Sequence, residues 1–197
     1  ESFDVDQNDF NHLVNKFDKD LLNIDFFNEL DLKKEADKGN IEMMFFYGLM
    51  LQLGNGNEID YNEAFQYFKK AADFGHADSM YQYGSMLFNG KEIHLDIEQG
   101  SNYIKKAADL GVEEAILTYG NMLLFGNGLQ MNKSKAAEYF QKTEIQENGE
   151  AMRLLGLMLF NGDGIPMNKE KAAEYFKKAS NQGDDEAMRL LGSMFLE

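Results

Sequence analysis

Apolar and polar positions follow the same order every 36 residues along most of the chain. Within each period the apolar side chains recur at spacings of three and four residues, which places them on one side of a helix. The segments 43–56, 79–90, 115–128 and 151–164 are therefore predicted to be the first helices of four repeats. The recurring apolar positions are Met44/Met80/Ile116/Met152/Met188, Tyr47/Tyr83/Tyr119/Leu155/Leu191, Met50/Met86/Met122/Met158/Met194 and Leu51/Leu87/Leu123/Leu159/Phe195.

Two sets of glycines recur with the same period. The first set lies inside the apolar frame, where a missing Cβ is expected to let a second helix approach closely. It consists of Gly48, Gly84, Gly120, Gly156 and Gly192. The second set is expected to end the first helix, because glycine adopts left-handed backbone angles at low cost. It consists of Gly54, Gly90, Gly126 and Gly162.

A loop and a second helix complete each repeat. One apolar position of the loop is expected to be buried (Ile59, Leu95, Met131, Met167), and the Asp or Asn after it is expected to cap the second helix (Asp60, Asp96, Asn132, Asn168). In the second helix, large side chains are predicted to face inward at Tyr67/Tyr103/Tyr139/Tyr175 and Phe68/Ile104/Phe140/Phe176. The second repeat has Gly100 where the other second helices have alanine, which is expected to loosen the packing there.

The period predicts the fold class. Units of this length cannot bury their apolar sides alone, so stacked neighbours share one core. We therefore predict an all-α protein, a right-handed α/α solenoid (superhelix) of stacked antiparallel helix pairs. Residues 1–38 are predicted to be degenerate N-terminal capping helices, and residues 39–197 a repeat array whose last repeat is truncated.

The unit EAMRLLGLMLFNGDGIPMNKEKAAEYFKKASNQG, residues 150–183, closely resembles the Sel-1-like repeat, a relative of the tetratricopeptide repeat. Four units match in register. The resemblance implies a non-catalytic scaffold or adaptor that binds a peptide or protein segment along a concave face lined by the first helices. It implies as binding residues Glu42, Phe45, Leu49, Gln52, Asp78, Tyr81, Ser85, Phe88, Glu114, Leu117, Asn121, Leu124, Glu150, Arg153, Leu157 and Phe160.

The first-helix acids in this set have a second explanation. Glu42, Asp78, Glu114 and Glu150 stand near predicted helix N-termini, where carboxylates are stabilised by the helix dipole without any ligand. Recognition and helix stabilisation are both open for these residues. For Phe45, Tyr81 and Phe88 the sequence favours recognition, because large apolar groups outside the core positions are expected to face a partner.

Charge narrows the class of partner. The formal net charge of −15 argues against nucleic acid, which binds clustered Lys and Arg. It favours a protein or peptide partner with a basic segment. No apolar run approaches the roughly 20 residues of a membrane helix, so no direct membrane insertion is expected. The fifth first helix lacks a partner helix, and self-association through this uncapped C-terminal helix is expected.

Catalytic and metal chemistry is not predicted. The chain has no cysteine, and its three histidines, His12, His76 and His94, occupy different positions in the repeat and are expected at the surface. The motif DVDQND, residues 4–9, lacks the glycine and glutamate of a calcium loop. No cofactor is expected. An enzyme such as a β-lactamase-like protein is the third hypothesis, suggested by penicillin-binding relatives with disulfide-linked repeats. It ranks behind the other two because the chain has no SxxK motif.

The two ends of the sequence bear on whether the chain is part of a longer protein. The chain starts without Met and stops within a repeat, so we expect it to be a fragment of a longer protein. The alternative function is therefore a regulatory or tethering segment of a multidomain protein, such as a kinase or a membrane-complex subunit. The absence of cysteine favours a cytoplasmic location, with the lumen of the secretory pathway as the alternative.

Overall fold

A computed structural model describes residues 29–54, 58–90, 93–142 and 148–194. These residues form ten helices and no strand, as the all-α fold class requires. The predictions for residues 1–28, including the one for His12, lie outside the described residues, and the capping role of residues 1–38 stays a prediction. The helices are α1 (Glu29–Asp37), α2 (Ile41–Leu53), α3 (Tyr61–Asp73), α4 (Ala77–Asn89), α5 (Ile97–Asp109), α6 (Glu113–Phe125), α7 (Lys133–Lys142), α8 (Gly149–Asn161), α9 (Lys169–Asn181) and α10 (Asp185–Met194).

The chain forms two compact units, Glu1–Gly100 and Ser101–Glu197. In the first unit α2 packs against α3, and α3 packs against α4. In the second unit α6 packs against α7 and α8 against α9, while α9 also packs against α10. The pairs α2–α3, α6–α7 and α8–α9 join the two helices of one repeat, and the pairs α3–α4 and α9–α10 join a second helix to the first helix of the next repeat, as stacked repeats require.

The helix ends lie where the sequence places them. The side chains of Asp60, Asp96, Asn132 and Asn168 each accept a hydrogen bond from the backbone N–H three residues later, at 2.8–3.0 Å. Each cap thereby satisfies one of the unpaired N–H groups at a helix start. At the other end of the first helices, the left-handed glycines have φ between 60° and 75°. Both predictions are confirmed.

The loop between the two helices is fixed by a repeated hydrogen bond. The backbone N–H of each capping residue donates to the carbonyl of the first-helix Leu nine residues earlier, for example Asn132 to Leu123 at 2.8 Å. The prediction that the preceding apolar side chain is buried was wrong, since Ile59, Leu95, Met131 and Met167 are 50–63% exposed. Only the base of the side chain is covered, because its Cβ faces the helix-ending glycine, as Met167 does at Gly162.

Three of the glycines inside the first helices, Gly48, Gly120 and Gly156, each accommodate an aromatic ring. A Cβ built on Gly48 would stand 2.7 Å from the Phe68 ring, and one on Gly156 would stand 2.6 Å from the Phe176 ring. Gly120 faces Phe140 in the same way. These phenylalanines are at most 1% exposed, so the glycine provides the space in which the second helix buries its largest side chain. The close approach inferred from the sequence is confirmed.

Gly100 tightens the packing instead of loosening it, so the prediction for this position was wrong. A Cβ at Gly100 would stand 2.7 Å from the carbonyl oxygen of Gly84 and 2.7 Å from the backbone nitrogen of Phe88. The helix α5 therefore approaches the α4 backbone more closely here than any side chain would allow.

Buried tyrosines join neighbouring second helices. The Tyr67 hydroxyl donates to Asp37 at 2.5 Å, and the Tyr139 hydroxyl donates to Asp109 at 2.8 Å. Burial, together with the hydrogen bond to Asp37, raises the pKa of Tyr67 to about 12. Burial opposes the charge of Asp109, but hydrogen bonds from Lys105, Tyr139 and Lys142 outweigh it and lower the pKa of Asp109 to about 2.

We expect Gly156→Ala to destabilise the protein, because the new Cβ would overlap a Phe176 ring that has no room to move. The overpacking cost of about 1–3 kcal/mol exceeds the gain in helix propensity of about 1 kcal/mol. Gly192→Ala is the matched control, since no described atom lies within 4 Å of a Cβ there, and it should stabilise by up to about 1 kcal/mol. Urea denaturation followed by circular dichroism measures both; equal effects would contradict the ring-on-glycine contact.

We expect Asp109→Asn to lower the free energy of unfolding at pH 7 by no more than about 1 kcal/mol, since the 41% exposed carboxylate is screened by solvent. The pKa of Asp109 is lower in the folded than in the unfolded state, so its ionised carboxylate stabilises the fold fully above the unfolded pKa of about 4. This stabilisation is lost as the pH falls toward about 2. The difference between wild type and variant should therefore shrink across that window. Urea denaturation at a series of pH values checks this, and a constant difference would refute it.

Candidate functional site

The four predicted binding residues of α2 differ in their exposure to solvent. Phe45 and Leu49 are each 2% exposed, whereas Glu42 and Gln52 are half-buried. The Phe45 ring lies 5.4 Å from the Phe46 ring and 6.1 Å from the Phe68 ring, between centroids. The expectation that Phe45 faces outward is therefore not met, because every residue of α2 from Met43 to Leu51 is buried.

The N-terminus of α4 places His76, which was not predicted as a binding residue, beside Glu42 and Phe45. His76 caps α4 by accepting a hydrogen bond from the Ser79 N–H at its Nδ1. Its Nε2 lies 3.5 Å from Glu42, and its ring lies 4.9 Å from that of Phe45. With 14% of its side chain exposed, His76 is not the surface residue that the sequence suggested. His94 is exposed, as expected.

The predicted residues of α4 remain accessible. Asp78, Tyr81, Ser85 and Phe88 are all half-buried, so part of each side chain reaches solvent. Asp78 belongs to the first turn of α4, where a carboxylate also complements the helix dipole. In the first unit, the accessible aromatic side chains of the predicted set therefore belong to α4 and not to α2.

In the second unit the predicted residues lie on α6 and α8. Glu114, Leu117 and Asn121 are half-buried, and Leu124 is 8% exposed. The Oδ1 atom of Asn121 is buried and has no hydrogen-bond partner in the part of the chain that the structure describes. On α8, Glu150 is exposed, and Arg153, Leu157 and Phe160 are half-buried.

Two of the α8 residues already have partners. The Arg153 Nε donates to Asp184 at 2.8 Å, and both side chains are largely shielded from solvent. The Lys169 ammonium lies 5.1 Å from the centre of the Phe160 ring. Arg153 thus joins α8 to the residue that caps α10, which gives it a structural role independent of any ligand.

An apolar cleft of about 340 Å³ brings Leu124 and Leu157 together in the second unit. The two leucines come from neighbouring first helices, and the loop between α6 and α7 closes one side. The side chains around them were not predicted as binding residues. They are Phe125, Met131, Lys133, Leu154, Met158, Asn161 and Asp163.

Contacts between two neighbouring repeats hold the walls of this cleft in place. Lys133 donates to both carboxylate oxygens of Asp163, at 2.7 and 2.9 Å, and so joins the start of α7 to the loop after α8. Gly164, with φ of 78°, lies against the backbone of Lys133, where a Cβ would stand within 3 Å of it. Phe125 is 62% exposed and Met131 is 56% exposed, so both offer apolar surface at the rim.

The sequence held a signal for these missed rim residues. Phe125 occupies a repeat position that is Asn in α4 and α8, so an aromatic group there departs from the polar pattern. Met131 belongs to the loop position that is apolar in all four repeats, and its exposure became apparent only from the packing of the loop.

Other kinds of site find no support among the described residues. Residues 29–54, 58–90, 93–142 and 148–194 contain no group of three or more His, Asp or Glu side chains placed to hold a metal ion. Within the same ranges, no helix is both long enough and apolar enough to cross a bilayer.

A sequence model of the Sel1 repeat matches residues 41–76, 77–112, 114–143 and 149–184. These four segments cover more than half of the chain and coincide with the helix pairs described above. The chain belongs to the Sel1 repeat family. Proteins of this family typically engage other proteins and are generally non-catalytic repeat scaffolds.

Solved structures of Sel1 repeat proteins superpose on this chain. A protective antigen of uropathogenic Escherichia coli with an SLR fold matches with a TM-score of 0.82 and 28% identity, over 86% of this chain and 36% of the antigen. A Sel1 repeat protein from Oxalobacter formigenes matches with a TM-score of 0.77 and 29% identity, over 86% and 69%. Cysteine-rich protein B of Helicobacter pylori matches with a TM-score of 0.54 and 25% identity, over 66% and 98%.

These comparisons support the solenoid fold class and the family. The chain spans about a third of the length of the E. coli antigen. A search of curated proteins finds no match.

Proposed function

We propose that this Sel1 repeat chain is a non-catalytic scaffold that binds a peptide or protein segment on the surface of its first helices. The cleft between α6 and α8 is the observation that carries the proposal. It is concave and largely apolar and has a few polar groups at its edge, which is the composition of sites that take a partner side chain. Two of the residues that line it, Leu124 and Leu157, are among those predicted to bind a partner.

The cleft suits an apolar anchor residue of the partner. A Leu, Met or Phe side chain inserted between Leu157, Phe125 and Met131 would remove apolar surface from water, at about 25 cal/mol per Å². The Lys133–Asp163 pair holds the rim in place, so the entropy of ordering falls mainly on the partner. The net charge of −15 favours a segment with Lys or Arg beside the anchor, through electrostatic steering.

Replacing both Phe125 and Leu157 by Ala is expected to weaken binding of anchor-bearing peptides at least tenfold, because two apolar side chains that line the cleft are removed together. The probe is a set of 15-residue peptides selected against the wild-type chain from a random display library. Titration by fluorescence anisotropy gives the dissociation constants, and urea denaturation checks that the fold is retained.

Leu110→Ala is the matched control for this experiment. Leu110 is 61% exposed, as Phe125 is, but it does not line the cleft. The control variant should bind the selected peptides like the wild type. Selected peptides without an apolar anchor, or binding that survives in the double variant, would refute the cleft as the binding site.

The first unit offers a second test of first-helix recognition. Tyr81→Ala combined with Phe88→Ala should weaken peptides that bind this unit, because these are the large accessible side chains of α4 among the predicted residues. The helical circular dichroism signal and the melting temperature should change little. Phe74→Ala, at a 66% exposed position outside α4, is the control, and equal losses in both variants would count against the α4 surface.

A regulatory or tethering role within a longer protein is the second candidate. The match of this chain covers 36% of the E. coli antigen, so the matched segment there lies within a longer chain, which supports this role. In that role the same surface would hold a partner while another part of the protein acts on it.

A further inference from the structure

A second pocket lies in the first unit, between α3, α4 and the loop that leads into α5. We call it the α3–α4 pocket. Its volume of about 380 Å³ falls within the range of roughly 300–1,000 Å³ that is typical of ligand sites. None of the predicted binding residues lines it. Its aromatic and polar lining includes Asn62, Phe65, Gln66, Tyr83, Asp96 and Gln99.

An aromatic ring forms part of one wall of the α3–α4 pocket. Phe65 of α3 is half-buried and packs against Tyr83 of α4, with 4.7 Å between the ring centroids. The later repeats have only small side chains at the position of Phe65, namely Ser101, Ala137 and Ala173. The packing of a repeat therefore does not require this ring, and part of it is open to a ligand.

The polar side chains of the pocket supply oxygen acceptors. Asp96 caps α5 through Oδ1, which accepts a hydrogen bond from the Gln99 N–H at 2.9 Å, and no described residue donates to its Oδ2. The side chains of Asn62 and Gln66 are exposed, and each amide carries one acceptor oxygen. No Lys or Arg is among the described residues that line the pocket. The pocket therefore suits a ligand that has a positive charge and several N–H donors.

The first repeat shows that a cation fits at this position of the repeat. Lys33 of α1 donates to Glu63 at 2.5 Å, and its ammonium lies 5.1 Å from the centre of the Tyr47 ring. Tyr83 and Gln99 of the pocket stand 36 residues after these two partners of the lysine. A cation beside this tyrosine is therefore compatible with the packing of a repeat.

Among the described residues, no lysine fills the same position in the second repeat. Lys69 stands 36 residues after Lys33, but it does not line the pocket, and it donates to Asp73 at 2.8 Å. Gln99 replaces the carboxylate of Glu63, to which Lys33 donates in the first repeat. The place that a lysine of the chain occupies in the first repeat is therefore open to a cation from a partner in the second.

We propose that the α3–α4 pocket binds an arginine side chain of a partner protein. A guanidinium is planar, so it can stack on the Phe65 ring while its N–H donors reach Asp96 and the amide oxygens at the rim. The ammonium of a lysine is compact and strongly hydrated and has only three donors, so it matches these groups less well. The net charge of −15 favours the approach of a basic segment. The proposal rests on the interaction role proposed above and assigns a partner group to the first unit.

The test titrates the whole chain with N-acetyl-arginine methylamide and follows the side-chain amide signals in ¹H–¹⁵N NMR spectra. We expect saturable shifts at the amides of Asn62, Gln66 and Gln99. The citrulline analogue has nearly the same shape but no charge, so it should bind at least tenfold more weakly. The lysine analogue should also bind more weakly than the arginine analogue. Equal binding of the arginine and citrulline analogues, or no shift at these amides, would overturn the proposal.

Two variants test the pocket with residues that other repeats already have at the same positions. Asp96→Asn removes the charge but keeps the cap, since Asn132 and Asn168 cap their helices in the same way. It should weaken binding of the arginine analogue at least fivefold. Phe65→Ala introduces the alanine of the third and fourth repeats and should also weaken binding. Wild-type affinity in both variants would refute the site.

Asp60→Asn is the matched control for the loss of charge. Asp60 caps α3 as Asp96 caps α5, but it is exposed and does not line the pocket. The control variant changes the net charge by the same amount and should bind the arginine analogue like the wild type. Equal losses in Asp60→Asn and Asp96→Asn would mean that only the overall charge attracts the ligand, which would overturn the proposal.

A peptide selection tests whether the arginine belongs to a protein. Peptides selected from a random display library against the Phe125→Ala, Leu157→Ala double variant should be enriched in arginine, and adding Asp96→Asn should abolish the enrichment. The selected peptides should bind at least tenfold more tightly than the arginine analogue. Equal affinities would indicate a free guanidinium compound and would contradict the assignment of a protein partner.

The same double variant separates this site from the cleft. It should bind the arginine analogue like the wild type, because the cleft and the α3–α4 pocket lie in different units and share no residue. Failure of one site therefore leaves the result for the other intact.

Discussion

The contact between a glycine of the first helix and a buried ring of the second determines how the helices pack in three of the repeats. Without the Cβ of Gly48 or Gly156, the rings of Phe68 and Phe176 lie where a side chain would otherwise stand. The helices can then pack closely although the second helix carries a large aromatic group. Helix propensity is sacrificed at every such glycine, by about 1 kcal/mol, and the burial of a phenylalanine offsets that cost.

The close pairing of helices fixes the surfaces that remain. The capping residue of each second helix returns its N–H to a first-helix carbonyl, so the loop has little freedom and its apolar side chain points outward. In the second unit, Met131 stands at the rim of the cleft, where this exposure adds to the apolar wall.

The local rules could be predicted from sequence, and the packing of particular side chains could not. Helix ends depend on neighbours in sequence, so the caps at Asp60 and Asn168 and the left-handed Gly54 were evident from the period. Exposure depends on neighbours in space. Gly100 was expected to loosen the packing, because the pattern records a lost side chain but not the backbone that moves closer. Phe45 was expected at the surface for the same reason, since periodicity does not reveal that α2 is covered on all sides.

The 36-residue unit encodes packing and the lining of the cleft at different positions. Phe125 of the cleft stands where α2 has Leu and α4 and α8 have Asn, and Leu157 stands where α4 has Ser and α6 has Asn. The glycines that pack or end the first helices, such as Gly156 and Gly162, instead recur in every repeat. A substitution at a variable position can therefore alter the cleft without disturbing the helix pairs that hold it in place.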